Sequence, residues 1–458
     1  MATNKKLNIY FYGGAGKVTG ANFMLEDLES DKRFLVDCGL IQGTRASERE
    51  NYDPFTYDPS KIEALFITHA HLDHIGRIPK LVHDGFTGTI YSTPPTKEIS
   101  QVSLLDSMNV LAHDATEQNL PTLYDEADVN RAMSQWQTVE YHQPIKIGET
   151  TIVLRDTGHI LGSAMIEFMI NGKKIVFTGD LGNSPAPLLR DTEEVTDATF
   201  MVMESVYGDR NHEDRDLRRH NLEDIIEETM RRGGTLMIPA FSVERTQELL
   251  FEIENMMENS RIPLVPVFLD SPLAIAVTSV YKKYSNYFNK EATHIRLAGD
   301  GIFKFPQLHL TPTAEQSKAI LHSPARKIII AGSGMSNGGR IIHHEKNYLP
   351  DAKSNLLLAG YQEVGSLGRQ LQEGARLVKI HGEEIPVRAK VVSIQGYSAH
   401  KDSDHLLKFV ESSADHLKKV FVCMGEPRAS LFLTQRIRDY LGVDAMVPSA
   451  GQKVEIEV

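Results

Sequence analysis

Within six residues of the segment THAHLDHIGRIP at 68–79, the chain places His69, His71, Asp73 and His74. Imidazole and carboxylate groups packed this closely are the donor set of a divalent cation. They suit zinc, and also manganese or iron. Residues two apart on an extended chain point the same way, so His69 and His71 can share one metal. Asp73 and His74 fall in the turn that follows and can face a neighbouring metal. Two later segments add donors of the same kind, His159 in TGHILGS and Asp180 in FTGD. Taken singly, an aspartate after a strand is more often a turn or capping residue. Their order after the histidine cluster makes the combination specific.

Donors this far apart in sequence need a scaffold that gathers them. The first half supplies short, apolar, partly β-branched runs that read as strands: KLNIYFYG, RFLVDCG, EALFIT, TTIVLRDTG, KKIVFTGD and TFMVMES. Several end at a residue capable of chemistry, namely Asp37, Thr68 beside His69, Asp180 and Glu204. Polar groups at strand ends place a site on one rim of a sheet. Helices are expected over IGRIPKLVHDG and over about residues 96–118.

From about residue 208 the texture changes. A charged amphipathic helix, HEDRDLRRHNLEDIIEETMRRGG, ends at a glycine pair. Strands TLMIPA, PLVPVFLD and RKIIIAG then alternate with helices FSVERTQELLFEIENMMEN and PLAIAVTSVYKKYSNYF, the pattern of a parallel α/β layer. Beyond about residue 394, strand and helix return with new histidines. The simplest organisation is one domain, 1–207 and 394–458, interrupted by a second, 208–393.

Bulk properties narrow the class. A chain of 458 residues exceeds what one core usually serves, so two domains are expected. No run approaches 18 apolar residues, so no transmembrane helix is expected. MATNKKLNIYFYGG lacks the apolar region of a signal peptide and reads as the start of a strand. Two cysteines, Cys38 and Cys423, build neither a disulfide framework nor a cysteine zinc site. Both sit in apolar runs and read as reduced buried thiols, which fits a reducing cytoplasm. A net charge of −12 excludes broad electrostatic coating of nucleic acid. It leaves a nucleic-acid enzyme open, because bound dications offset part of a carboxylate cluster. GGAGKVTG imitates a nucleotide loop, but Val18 stands where a P-loop needs Ser or Thr.

HxHxDH, then GHxxGS, then TGD is similar to the ligand pattern of the metallo-β-lactamase superfamily. The resemblance implies an αβ/βα sandwich interrupted by a β-CASP α/β domain. It implies His69, His71 and His159 on one metal, Asp73 and His74 on the other, Asp180 bridging, and Asp37 orienting a ligand histidine. The cofactors implied are two zinc ions, with manganese or iron as alternatives. Such a pair polarises a phosphoryl oxygen and acidifies a water toward a pKa of roughly 7. Later motifs resemble the β-CASP branch: MESVYGDR at 203–210, AGSGMSNGGRIIHH at 331–344, AGYQEVGSLGRQL at 359–371 and GYSAHKD at 396–402. The likeness is nearest to prokaryotic RNA-processing members related to the nuclease subunit of the eukaryotic pre-mRNA cleavage and polyadenylation complex. It implies a ribonuclease, endonucleolytic with added 5′→3′ exonuclease action. Asp73, His400 and Glu204 are expected to carry catalysis, His400 as general acid held by Glu204. Ser336, Arg340 and Arg369 are expected at substrate phosphates.

Single-stranded RNA is the expected partner, with DNA as the second substrate class and a homodimer as a compatible assembly; no membrane is involved. One departure bears on substrate. RNA-acting relatives read V-H-G-E where this chain reads VFVCMGE, so Met424 replaces a histidine, and DNA-acting relatives have valine there. A non-catalytic RNA-binding relative is the third reading. Six intact ligands of seven favour an enzyme over it.

Overall fold

In the strand Thr150–Asp156, residues 150, 152, 154 and 156 are buried and those between are half-exposed. That is the period of two expected of a strand covered on one face. Such strands assemble into three large sheets in a computed structural model that describes residues 5–212, 215–295, 297, 301–363 and 365–458. Residues 1–4 of the N-terminal strand reading, 213 and 214 at the head of the charged helix, and 364 in the 359–371 motif lie outside the described residues. The chain divides into two units. One takes in the chain up to Ala186, with Arg190–Asn211 and His400–Val458; the other is Pro187–Leu189 and His212–Ala399.

The first unit holds two seven-stranded mixed sheets. One runs in the order Gln452–Glu457, Lys6–Gly13, Asn22–Asp27, Lys32–Val36, Ala64–Phe66, Thr89–Ser92, Trp136–Thr138. The other runs Ala445–Met446, Lys419–Val422, Phe200–Met203, Lys173–Phe177, Ala164–Ile170, Thr150–Asp156, Ile145–Ile147. Their inner faces meet through aromatic contacts: Phe34 with Phe168 at 5.7 Å, Phe66 with Phe168 at 5.3 Å and Phe11 with Phe421 at 5.2 Å. Each such ring, fully buried, stabilises the unit by about 1.5–3 kcal/mol. Helices Ser403–Glu411 and Pro427–Leu441 cover the outer face of the second sheet, setting Leu406, Phe409, Leu433 and Ile437 against Met165, Val176, Met203 and Val422. The architecture is the αβ/βα sandwich that the sequence motifs imply.

The second unit is built on six parallel strands in the order Leu308–Leu310, Val267–Leu269, Lys327–Ala331, Thr235–Pro239, Asn355–Leu358, Lys390–Ser393. Helices Arg245–Glu258 and Pro272–Lys283 fall where the strand–helix alternation puts them. Strands Asn22–Asp27 and Ala164–Ile170 were not among the sequence expectations. The first is buried throughout and the second nearly so, so neither shows a two-residue alternation. Cys38 and Cys423 are buried free thiols, as expected. Among the described residues, no helix is long and apolar enough to cross a membrane.

Candidate metal centre

The strand Lys32–Val36 ends at Asp37, which adopts the left-handed conformation with φ of 60°. That bend turns the carboxylate toward the next strand, Ala64–Phe66, where Oδ1 accepts from Thr68 N and Oδ2 from Thr68 Oγ1, both at 2.8 Å. Asp37 Oδ2 lies 2.7 Å from His74 Nδ1 and fixes that ring. The chain then closes on the histidine turn: Cys38 N donates to His74 O and Leu40 N to Leu72 O, each at 2.8 Å. A side chain at Gly39 would sit 1.5 Å from Asp73 O, so only glycine permits this approach.

His69, His71, His159 and Asp180 converge, each offering a ligand atom within 4.8 Å of the others. His71 Nδ1 lies 3.1 Å from His69 Nε2 and 3.2 Å from His159 Nε2. Asp180 Oδ2 lies 3.3 Å from His69 Nε2 and 3.4 Å from His159 Nε2. The other oxygen, Oδ1, faces His74 Nε2 at 3.5 Å, and Asp73 Oδ2 is 3.8 Å from that nitrogen. Burial, reinforced by neighbouring imidazoles, holds His71 and His159 well below the usual histidine range, so both rings stay neutral. Burial also raises Asp73. His74 runs the other way: burial lowers it, but Asp180, Asp37 and Asp73 together lift it well above its ordinary value.

A cation fits this cluster on two grounds. Among the described residues, His74 Nε2 and Asp180 Oδ1 are buried with no hydrogen-bond partner, a costly state for two polar atoms that face each other. The donor set, imidazoles around carboxylates, is that of a catalytic transition-metal site.

Next to it, Glu204 ends the strand Phe200–Met203, and Oε1 accepts from Leu181 N at 2.6 Å. Its two oxygens lie 3.3 and 3.2 Å from His400 Nδ1. His400 reaches Asp180 Oδ2 at 3.9 Å. Burial opposes charge on His400, yet Glu204, Asp180 and Asp73 raise it to about 9.

Met424 also has a positive φ, 45°, and its amide donates to Gly14 O at 2.7 Å. Its thioether packs into the core: a side chain on Gly14 would meet Met424 Sδ at 2.4 Å. Met424 lines a small cavity with Asp37, His74, Thr178 and Glu204.

Ser336, Arg340 and Arg369 belong to the other unit. Ser336 is buried and its hydroxyl donates to Glu345 Oε1 at 2.5 Å. Arg340 Nη1 donates to Asp270 Oδ1 at 2.8 Å and to Thr311 O at 2.5 Å, and Nη2 donates to Pro312 O at 2.9 Å. Burial raises the Asp270 carboxyl, but hydrogen bonds from His344, Ser317, Arg340 and Thr311 bring it down to about 2. Arg369 pairs with Glu373 one helical turn on. Sequence reasoning missed Thr68 as a hub: beyond Asp37, its Oγ1 lies 3.0 Å from His69 Nδ1 and 3.4 Å from His74 Nδ1. The one available signal was its place directly before His69 at a strand end.

Three family profiles match the chain: a metallo-β-lactamase superfamily domain over residues 26–202, a Beta-Casp domain over 246–371, and a Zn-dependent metallo-hydrolase RNA specificity domain over 384–448. A protein named Ribonuclease TTHA0252 from Thermus thermophilus is 34% identical, over 98% of this chain and 98% of its own length. An RNase J-like protein from Methanocaldococcus jannaschii is 32% identical, over 96% of this chain and 98% of its own length. Transcription termination factor FttA from Methanosarcina mazei is 29% identical, over 94% of this chain and 69% of its own length. A crystal structure of a protein of unknown function from Enterococcus faecalis shares the fold, with a TM-score of 0.55 at 13% identity, covering 98% of this chain and 100% of that one.

Proposed function

The chain belongs to the β-CASP family of metallo-β-lactamase-fold, metal-dependent hydrolases, and from that premise we propose that it is a zinc-dependent ribonuclease hydrolysing phosphodiesters of single-stranded RNA. It cuts endonucleolytically, with 5′→3′ exonuclease action on the ends it makes. The observation that carries this reading is the convergence of His69, His71, His159 and Asp180 beside the His400–Glu204 pair. His69, His71 and His159, with Asp180, would hold one metal. Asp73 and His74 would hold the second, with Asp180 facing both sets through its two oxygens. Bound there, the metals supply Lewis-acid polarisation of a phosphoryl oxygen and an acidified water.

The protein's own groups do the rest. Asp37 accepts the Nδ1 proton of His74 and so sets Nε2 as the ring atom that faces the cluster. Glu204 engages Nδ1 of His400, which leaves Nε2 to deliver a proton to the departing alkoxide. In the other unit, the cation of Arg369 and the turn around Ser336 and Arg340 are the proposed contacts for substrate phosphates, with Ser336 and Arg340 shaping the turn through internal bonds. The domain boundaries we assign are 1–207 with 394–458 for the hydrolase fold and 208–393 for the insert.

The test is incubation of metal-analysed protein with 5′-labelled single-stranded RNA and DNA, with and without chelator. Cleavage of RNA that chelator stops supports the assignment. Cleavage of DNA in preference to RNA overturns the substrate class; that second reading is favoured by the core-packed Met424.

A further inference from the structure

The unit of Pro187–Leu189 and His212–Ala399 carries two large aromatic rings in solvent, Phe241 at 46% exposure and Tyr361 at 40%. Phe241 follows the strand Thr235–Pro239, and Tyr361 follows Asn355–Leu358. The strands are parallel neighbours, in register through Leu236↔Asn355 and Met237↔Leu356. Both rings therefore lie just beyond the carboxyl ends of strands about 5 Å apart. That edge is where open parallel sheets take their ligands.

Single exposed apolar side chains are ordinary and carry no message. These two differ in how firmly they are mounted. Phe241 O accepts from Thr246 N at 3.3 Å and from Thr246 Oγ1 at 2.8 Å, and Ser242 O accepts from Gln247 Nε2 at 3.1 Å. The first turn of the helix Arg245–Glu258 thus pins the backbone under the ring. Beside it, the ring rests on Gly334, where a side chain would fall 2.8 Å from Cδ2 and 3.0 Å from Cε2. The Tyr361 segment is tied to the same loop, since Gln362 Nε2 donates to Gly334 O and Gly368 N to Met335 O, each at 3.1 Å.

We infer that Phe241 and Tyr361 form a stacking platform for the unpaired bases of single-stranded RNA, an inference that rests on the ribonuclease reading. Every base has a π-face, so stacking holds a strand without reading its sequence, and each stacked base adds about 5- to 150-fold in affinity. A chain of net charge −12 gains little from unspecific phosphate attraction, so contacts of this kind must supply much of the hold. Rings on a pinned backbone lose little freedom on binding.

The experiment measures binding of a fluorescent, hydrolysis-resistant phosphorothioate oligoribonucleotide, and of its abasic counterpart, to the metal-loaded full chain. Phe241→Leu and Tyr361→Leu are each expected to weaken the normal strand by about 5- to 150-fold and to leave the abasic strand unchanged. Phe241→Trp, which keeps a π-face, is expected to bind as wild type does. Heat-unfolding midpoints matching wild type separate lost affinity from lost fold. If wild type and both leucine variants bind the normal strand equally, or the variants lose both strands alike, the platform is refuted while the ribonuclease reading stands. If wild type binds neither strand, the ribonuclease reading falls and the platform with it.

Discussion

Glu345, on the helix Ile341–Tyr348, has no solvent exposure. One carboxyl oxygen accepts the Ser336 hydroxyl, and the other has no partner among the described residues. Burial pushes this acid up to about 8 from 4.5. In the unfolded chain the group ionises from about pH 4.5, whereas in the fold it keeps its proton to about pH 8. Between those values the unfolded state binds fewer protons than the folded one, so stability must fall as pH rises. Glu345→Gln keeps the shape and the acceptor for Ser336 but cannot ionise. Between pH 5 and pH 7 we predict that wild type loses about 2–3 kcal/mol relative to the glutamine variant. For a chain of 458 residues that corresponds to a gap in melting temperature widening by about 2–3 °C. Above pH 8 the gap stops growing. The measurement is heat unfolding followed by far-ultraviolet circular dichroism at pH 5, 6, 7 and 8. Parallel curves for the two proteins would refute the reasoning, because they would mean that Glu345 ionises in the fold as readily as out of it.

Three further outcomes are expected at the metal centre. Asp73→Asn should abolish hydrolysis without changing the circular dichroism spectrum, because an amide brings no charge to the second metal; wild-type turnover with one metal fewer would contradict the two-metal assignment. His400→Ala should slow RNA cleavage by about 10²–10⁴-fold with metal content unchanged, whereas loss of metal would make His400 a ligand. Met424→His should raise second-metal occupancy and lower the free metal needed for activity, since a thioether packed on Gly14 is a poor partner for zinc beside carboxylates. Equal metal stoichiometry across a titration of both proteins would show that some other residue already fills that position.

What the sequence made legible was local. The spacing of His69, His71, Asp73 and His74 marked the cluster, and ends of strands such as RFLVDCG and KKIVFTGD marked the rim on which it stands. Strand–helix alternation marked the parallel sheet of the second unit, because each element there is made by neighbours in sequence. The role of Thr68 stayed hidden because it depends on Asp37 turning through a left-handed conformation, which no local pattern announces. Ser336 and Arg340 were legible as polar groups of a glycine-rich turn, but the buried carboxyls that meet them, Glu345 for one and Asp270 for the other, were not. The pairing of Gln452–Glu457 with Lys6–Gly13 is equally non-local, and the run QKVEIE alone gives no hint of its partner.

The order of strands in the first unit has a consequence for how the molecule is made. Phe200–Met203 takes Lys419–Val422 as its parallel neighbour, with Phe200 opposite Lys419. A ribosome adding 5–20 residues each second needs roughly 10–40 s to travel from one to the other. Throughout that interval the nascent chain presents an unpaired, apolar strand edge, a hazard for misassembly that a bound chaperone would relieve. The five strands from Val267–Leu269 through Lys390–Ser393, with Thr235–Pro239 beside them, emerge within it and can complete their own sheet first. His69 through Asp180 are by then already synthesised, while His400 is still to come. Of the residues proposed to react, His400 is thus the last to leave the ribosome, so the proposed site cannot assemble until the whole second unit has been made.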